Sequence, residues 1–188
     1  MPTLSVRPDT DDDKDVAAAS FAEKLLESAF KKTNLHQVVK KTTVWSETCG
    51  SGFYKIIWNS AGGNKIGKTN GTDVFEGEVE VISVSPFEIF PDSLNNESIE
   101  DCQSIIHAKV LSASAVKELY GVEVAGQRIN VFSLQKMNAF NEQDESVIEN
   151  GVIVIERYEK PTKEFPNGRL ISVAGDKLLF VGDLPYQN

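Results

Sequence analysis

The chain has 188 residues, 40% of them hydrophobic and 25% charged, with a formal net charge of −9. A composition of this kind fits one folded domain, or one domain with an extension, with a core of ordinary size. The acidic balance excludes a free-standing module that holds nucleic acid by neutralising phosphates, but not a protein past which DNA slides without being held.

Only two cysteines occur, Cys49 and Cys102, far apart and without C-x-x-C spacing. They exclude a disulfide framework and a zinc site, and fit two reduced, buried thiols. No run approaches the ~20 apolar residues of a membrane span, and no signal peptide is read at the start.

In chain order, residues 1–15 read as a flexible acidic lead-in. Its DTDDDKD stretch lacks the Gly and Glu that a calcium loop needs at its sixth and twelfth positions. The aspartates are expected to cap a helix over VAAASFAEKLLESAFKK, whose Val16, Ala17, Phe21, Leu25 and Ala29 form an apolar face. Asn34 is expected to cap a second helix, LHQVVKKTTVWSETC, with Leu35, Val38, Val39, Thr42, Trp45 and Cys49 on one face. Gly50 is its candidate left-handed cap, followed by Gly52. So short a connection predicts an antiparallel pair.

Strands are predicted over 53–58, from Phe53 to Trp58, and over 75–84. Between them lies GGNKIGKT, in which Gly62, Gly67, Lys68 and Thr69 fit the G-x-x-x-x-G-K-[ST] pattern of a phosphate-binding loop. That loop needs a helix N-terminus at Lys68 and Thr69 to hold phosphates. An Asn70-Gly71 turn and a strand follow instead, so the stretch reads as a hairpin tip with Lys65 and Lys68 as solvated charges. Pro86 and Pro91 keep SPFEIFPDS out of a sheet interior. Phe87, Ile89 and Phe90 are expected to clamp that segment onto the core.

Residues 93–101 read as an acidic loop or short helical turn, and CQSIIHAKVL as a strand with His107 in its middle. Ser112 is expected to cap ASAVKELYG, which Gly121 ends. Residues 122–149 are weakly patterned: VEVAGQRINVFSLQ holds strand-like pieces and KMNAFNEQDESVIEN is mixed and polar, which fits a long loop that orders only against a partner. GVIVIERYEKP, NGRLISVA and KLLFVGDLPY then form a meander with turns at Asn167-Gly168 and Gly175-Asp176. The run Val152–Ile155 before Glu156 imitates a Walker B strand, but it enters a hairpin. The expected fold class is α+β: an N-terminal helical hairpin, antiparallel strands, a short helix and a C-terminal β-meander, with residues 16–188 as one domain.

No catalytic constellation emerges. There is no G-x-S-x-G elbow and no H-E-x-x-H. His36 and His107 stand apart, and acidic pairs such as Glu78/Glu80 and Glu97/Glu100 read as solvated faces. The residues point to a binding or structural protein without catalytic, metal or cofactor sites.

Several stretches, in order, resemble the portal proteins of tailed bacteriophages, in the podovirus-type branch also found in prophages. They are ETCGSGFYKIIWN, carrying Gly50, Gly52, Phe53 and Trp58; EGEVEVISVSPFEIFPDS, carrying Pro86, Phe87, Phe90, Pro91 and Asp92; ESIEDCQSIIHAKVL, carrying His107; and SAVKELYG, carrying Leu119, Tyr120 and Gly121. These are motif positions of a structural kind, not a catalytic site. The resemblance runs from about residue 17 to residue 186. It implies a wing-region piece of a ring, usually of twelve subunits, at one capsid vertex.

The partners so implied are other portal subunits, capsid or scaffold protein, double-stranded DNA passing through the channel, and a separate terminase. The implied location is the virion, with the host cytoplasm during assembly. The family's stem, clip and crown lie beyond the matched region, so a piece of this kind is expected to associate weakly on its own. The alternatives are another non-catalytic α+β binding module or a nucleotide-binding hydrolase.

Overall fold

A computed structural model describes residues 5–69, 71–96, 98–130 and 147–185. It is a mixed α+β protein with two N-terminal helices, antiparallel strands, a short helix and a closing run of strands. The chain divides into two compact units, residues 1–86 and residues 87–188.

The first unit opens with α1 (Asp13–Lys32) and α2 (Leu35–Cys49). Helix α1 starts three residues before the predicted boundary. Asp12 sits at its N-cap but makes no side-chain capping bond, so the expected cap is not formed. Asp13 and Asp15 in the first turn and Lys31 and Lys32 in the last still complement the helix dipole.

The expected apolar face of α1 is not the buried one. Val16, Phe21 and Leu25 are exposed, whereas Ala19 is buried and Ala22 and Phe30 are half-buried. Small residues permit close packing there, and the larger side chains point the other way. Asn34 also departs from expectation. It adopts φ 48°, ψ 38° without a side-chain cap, and so acts as a left-handed corner between the helices. The face of α2 follows the sequence reading: Thr42 and Trp45 are buried, and Leu35, Val38, Val39 and Cys49 are half-buried.

Strands β1 (Phe53–Asn59) and β4 (Glu78–Val84) form an antiparallel ribbon from Phe53↔Val84 to Asn59↔Glu78. Its prolongation is a second ribbon, β2 (Lys65–Thr69) with β3 (Thr72–Phe75). The single strand predicted over 75–84 is therefore broken, at Gly77 (φ 78°). Helix α2 packs against β4, where the Thr42 hydroxyl donates to Ser83 Oγ at 2.8 Å.

The second unit is built on a six-stranded sheet. Strands β5 (Ile89–Pro91), β6 (Ser104–Ser112), β8 (Val147–Glu159), β9 (Arg169–Ala174) and β10 (Lys177–Gly182) lie in the order β10-β9-β8-β6-β5. Strand β7 (Gln127–Asn130) pairs with the first part of β8. Within the weakly patterned stretch, residues 127–130 are strand, in keeping with the strand-like pieces read there, and residues 147–149 open β8, while residues 131–146 lie outside the described residues. The meander β8-β9-β10 follows the reading, with Gly175 (φ 60°) in a two-residue turn between Ala174 and its partner Lys177.

Helix α3 (Ala113–Tyr120) is capped as predicted. Ser112 Oγ accepts from the Ala115 N–H at 3.2 Å, and Gly121 (φ 69°) closes it with a bond to the Lys117 carbonyl. The helix supplies Val116 to a core with Val152, Val154 and Ala174, flanked by Leu111, Tyr120 and Leu179.

Candidate functional site

Cross-strand partners in an antiparallel pair point to the same face, and alternate residues along a strand share it. Leu111, Lys109 and His107 on β6 therefore face the same way as Val152, Val154, Glu156 and Tyr158 on β8. At the Val152 and Val154 end this face is the apolar core. Toward the other end it becomes polar: His107 and Glu156 are a direct cross-strand pair, and both are buried. An ionic cluster inside a sheet is costly unless every group is matched.

Here the matching is dense. His107 Nδ1 lies 3.3 Å from Glu156 Oε2, and His107 Nε2 lies 3.3 Å from Glu88 Oε2. Glu156 Oε1 accepts from Lys109 Nζ at 2.8 Å and from the Tyr120 hydroxyl at 3.4 Å, and Oε2 accepts from the Tyr158 hydroxyl at 3.1 Å. No buried side-chain nitrogen or oxygen among the described residues is left without a partner. Burial first, then the charge of Glu156 and the bond to it, push Tyr120 from 10.0 up to about 12.

Four elements build the cluster. β6 brings His107 and Lys109 two residues apart, β8 brings Glu156 and Tyr158 two residues apart, and the last residue of α3 brings Tyr120. Glu88 arrives on the short 3-10 turn Pro86–Glu88 that precedes β5. Chemically, both oxygens of Glu156 are engaged by donors of the fold. Among the described residues no group of three or more His, Cys, Asp or Glu is placed to hold a metal ion.

The sequence places His107 mid-strand, with no other His or carboxylate pattern beside it to make a metal site. It does lie mid-strand, but Glu88 and Glu156 flank it, because strand register brings together residues 19 and 49 positions away. Of the thirteen motif positions, only His107 and Tyr120 share this cluster. Glu88, Lys109 and Tyr158 stand out in no sequence motif, and Glu156 figures only after a run that imitates a Walker B strand. Lys109, Glu156 and Tyr158 carry a signal in the sequence, as charged or polar residues at core-facing parity in otherwise apolar strands, whereas Glu88 lies on a 3-10 turn and carries none of that kind.

The other motif positions serve local structure. Gly50 (φ 81°) caps α2, with its N–H on the Ser46 carbonyl at 2.9 Å. A Cβ on Gly52 would stand 2.7 Å from the Thr42 carbonyl oxygen, so glycine allows the chain to cross α2 closely. Phe53 is half-buried opposite buried Val84. Trp58 is 65% exposed, its ring lying over Gly77. Asp92 Oδ2 accepts from the N–H groups of Gln103 and Ser104 at 2.8 and 3.1 Å, fixing the turn after Pro91. Pro86 is half-buried at the start of the 3-10 turn, and Pro91 ends edge strand β5, as its missing N–H requires. Leu119 is exposed.

Phe87 and Phe90 overturn the expected clamp: they are 56% and 50% exposed. The proline-bounded segment is held instead by Ile89, by pairing with β6, and by the polar bonds of Glu88 and Asp92. Gly67, Lys68 and Thr69 lie within β2, not at a helix start. Lys65 and Lys68 are not merely solvated, since both reach Asp73, at 2.6 and 3.7 Å. Both cysteines are free thiols, Cys102 buried and Cys49 half-buried.

Comparison with known protein families and with curated proteins finds no match to this chain.

Proposed function

We propose that the chain is a non-catalytic structural component of a phage or prophage portal ring, its wing region, in an assembly through which viral DNA passes and which joins head to tail. The observation that carries this reading is the order of the portal-like stretches and their seats on successive elements. GSGFYKIIWN covers the α2–β1 junction, VSPFEIFPDS runs from β4 through the 3-10 turn to β5, SIIHAKVL is β6, and SAVKELYG is α3.

A second feature favours a role in assembly. Large apolar side chains stand exposed in both units: Phe21, Leu25, Tyr54, Ile56 and Trp58 in the first, and Phe90, Ile153, Ile155 and Val181 in the second. By strand parity the latter four share the sheet face opposite the ionic cluster. Exposed apolar groups gathered on one face are the surface of a protein that meets other proteins. The implied partners are further copies in a ring, capsid or scaffold protein, and DNA in the channel. A non-catalytic binding module of another assembly rests on the same surface.

The test is immunogold labelling of tailed particles released by the producing cell. Label confined to the vertex that bears the tail supports the portal reading. Label spread over the shell, or absent from particles, overturns it. For the hydrolase alternative, calorimetry with ATP is expected to give no heat of binding for the chain or for Lys68→Ala, and binding abolished by that substitution would restore a phosphate loop.

A further inference from the structure

We propose that His107 is a proton-operated latch: with a proton on both ring nitrogens it ties Glu88, and the edge strand β5 that follows, to Glu156 on β8, and loss of one of those protons releases Glu88. The inference is independent of the portal reading.

A neutral imidazole has one N–H and one lone pair, whereas the imidazolium has two N–H donors. Each ring nitrogen of His107 faces a carboxylate oxygen at 3.3 Å, Glu156 on one side and Glu88 on the other. In the neutral ring one lone pair would point at one of these oxygens, and that contact would be repulsive. The imidazolium satisfies both. Burial disfavours a charged ring, and two neighbouring carboxylates favour it.

The surrounding charges decide between these effects. From β8, Glu156 and the Tyr158 hydroxyl face the site, from β6 Lys109, from α3 Tyr120, and from the 3-10 turn Glu88. β9 contributes the uncharged Ser172 opposite Glu156, and β5 the apolar Ile89 opposite His107. Both tyrosine hydroxyls donate to Glu156 and so keep their protons. Among the described residues, a charged His107 and Lys109 set two cations against Glu88 and Glu156, whereas a neutral His107 leaves one cation against two anions.

The consequence falls on the sheet edge. Strand β5 is three residues long and pairs only through Ile89–Pro91 with Ile105–His107. Glu88 stands immediately before it, and its side chain is 35% exposed, so it can leave the ring for water. Released, it leaves β5 held by that pairing and by Asp92, and the edge of β6 less well covered.

The experiment uses the full chain with its histidines labelled with 15N. The sequence holds two, and His36 on the exposed side of α2 serves as comparison in the same spectrum. Spectra are taken from about pH 5 to about pH 8, with hydrogen exchange of the peptide spanning residues 86–92 measured alongside and corrected for the intrinsic rate. The expected result is two protonated ring nitrogens on His107 at the acid end. As one is lost, protection of the 86–92 peptide should fall roughly tenfold, the effect of about one pKa unit of coupling.

In Glu88→Gln the exchange of this peptide should no longer follow the ring, while the far-UV spectrum and melting curve keep their native shape. A single N–H on His107 throughout overturns the proposal, because the extra proton would then sit on a carboxyl group or be absent. Exchange that ignores the state of the ring in the native chain, or that still tracks it in Glu88→Gln, also overturns it.

Discussion

The two units solve the problem of holding strands together in different ways. In residues 87–188 a six-stranded sheet has one face covered by α3 and Val116, and a saturated ionic cluster continues that buried face. Among the described residues of 1–86 the strands form two-stranded ribbons, and Trp45, Thr42 and Ala19 supply much of what burial there is. An isolated two-stranded ribbon is marginal in water, so the first unit depends on the packing of α2 against β4 and on close glycine contacts. The second depends on register, since a one-residue slip would turn Val152, Val154 and Glu156 out of the interior.

The sharpest way to break the contrast is to strike the cluster. Glu156→Ala leaves Lys109 and His107 without their shared carboxylate inside the sheet, and is expected to cost roughly 3–5 kcal/mol in urea unfolding. A loss below about 1 kcal/mol would mean that the cluster is peripheral and that the second unit rests on its apolar core alone.

In the first unit the corresponding blow is to the backbone. Gly77 has φ 78°, and a Cβ there would lie 2.1 Å from the Trp58 ring. Gly77→Ala is expected to cost about 1–3 kcal/mol, from the strained φ and the displaced ring. Trp58 fluorescence should change with it, and an unchanged emission spectrum would show that the ring is not seated on this glycine.

A pH measurement separates the units by a smaller effect. Tyr120 titrates near 12 in the folded chain against an ordinary 10.0, so it binds its proton more tightly folded than unfolded. Its contribution is complete below about pH 10 and is lost as pH rises from there through about pH 12. Tyr120→Phe should flatten that part of the alkaline decline. An identical decline in both proteins would place its origin elsewhere.

The smallest effect is expected at the sheet edge. Phe90 is half in solvent, so Phe90→Ala should cost about 1 kcal/mol or less, not the 3–5 kcal/mol of a buried phenylalanine. A large loss would show that this ring is covered in solution, as it would be in an assembly.

The sequence by itself determined the element types and many of their ends. Gly50 and Gly121 close helices with positive φ, Ser112 caps α3, and Gly175-Asp176 turns the last hairpin, because each needs only its own backbone preference and immediate neighbours. The α+β class followed from the same local signals, and so did the placing of Lys68 and Thr69 on a strand rather than at a helix start.

The tertiary structure alone decided which apolar face of α1 is buried, since Phe21 and Leu25 satisfy helical spacing as well as Ala19 and Ala22 do. It also decided that Phe87 and Phe90 face solvent: proline spacing locates an edge strand but not what covers it. Above all it made the cluster. His107, Glu88 and Glu156 are far apart in sequence, and only the pairing of β6 with β8, together with the 3-10 turn before β5, brings a carboxylate oxygen of each glutamate to 3.3 Å from a ring nitrogen of His107. Local propensity acts over a few residues, whereas charge pairing in a sheet is set by register, which the whole core fixes at once.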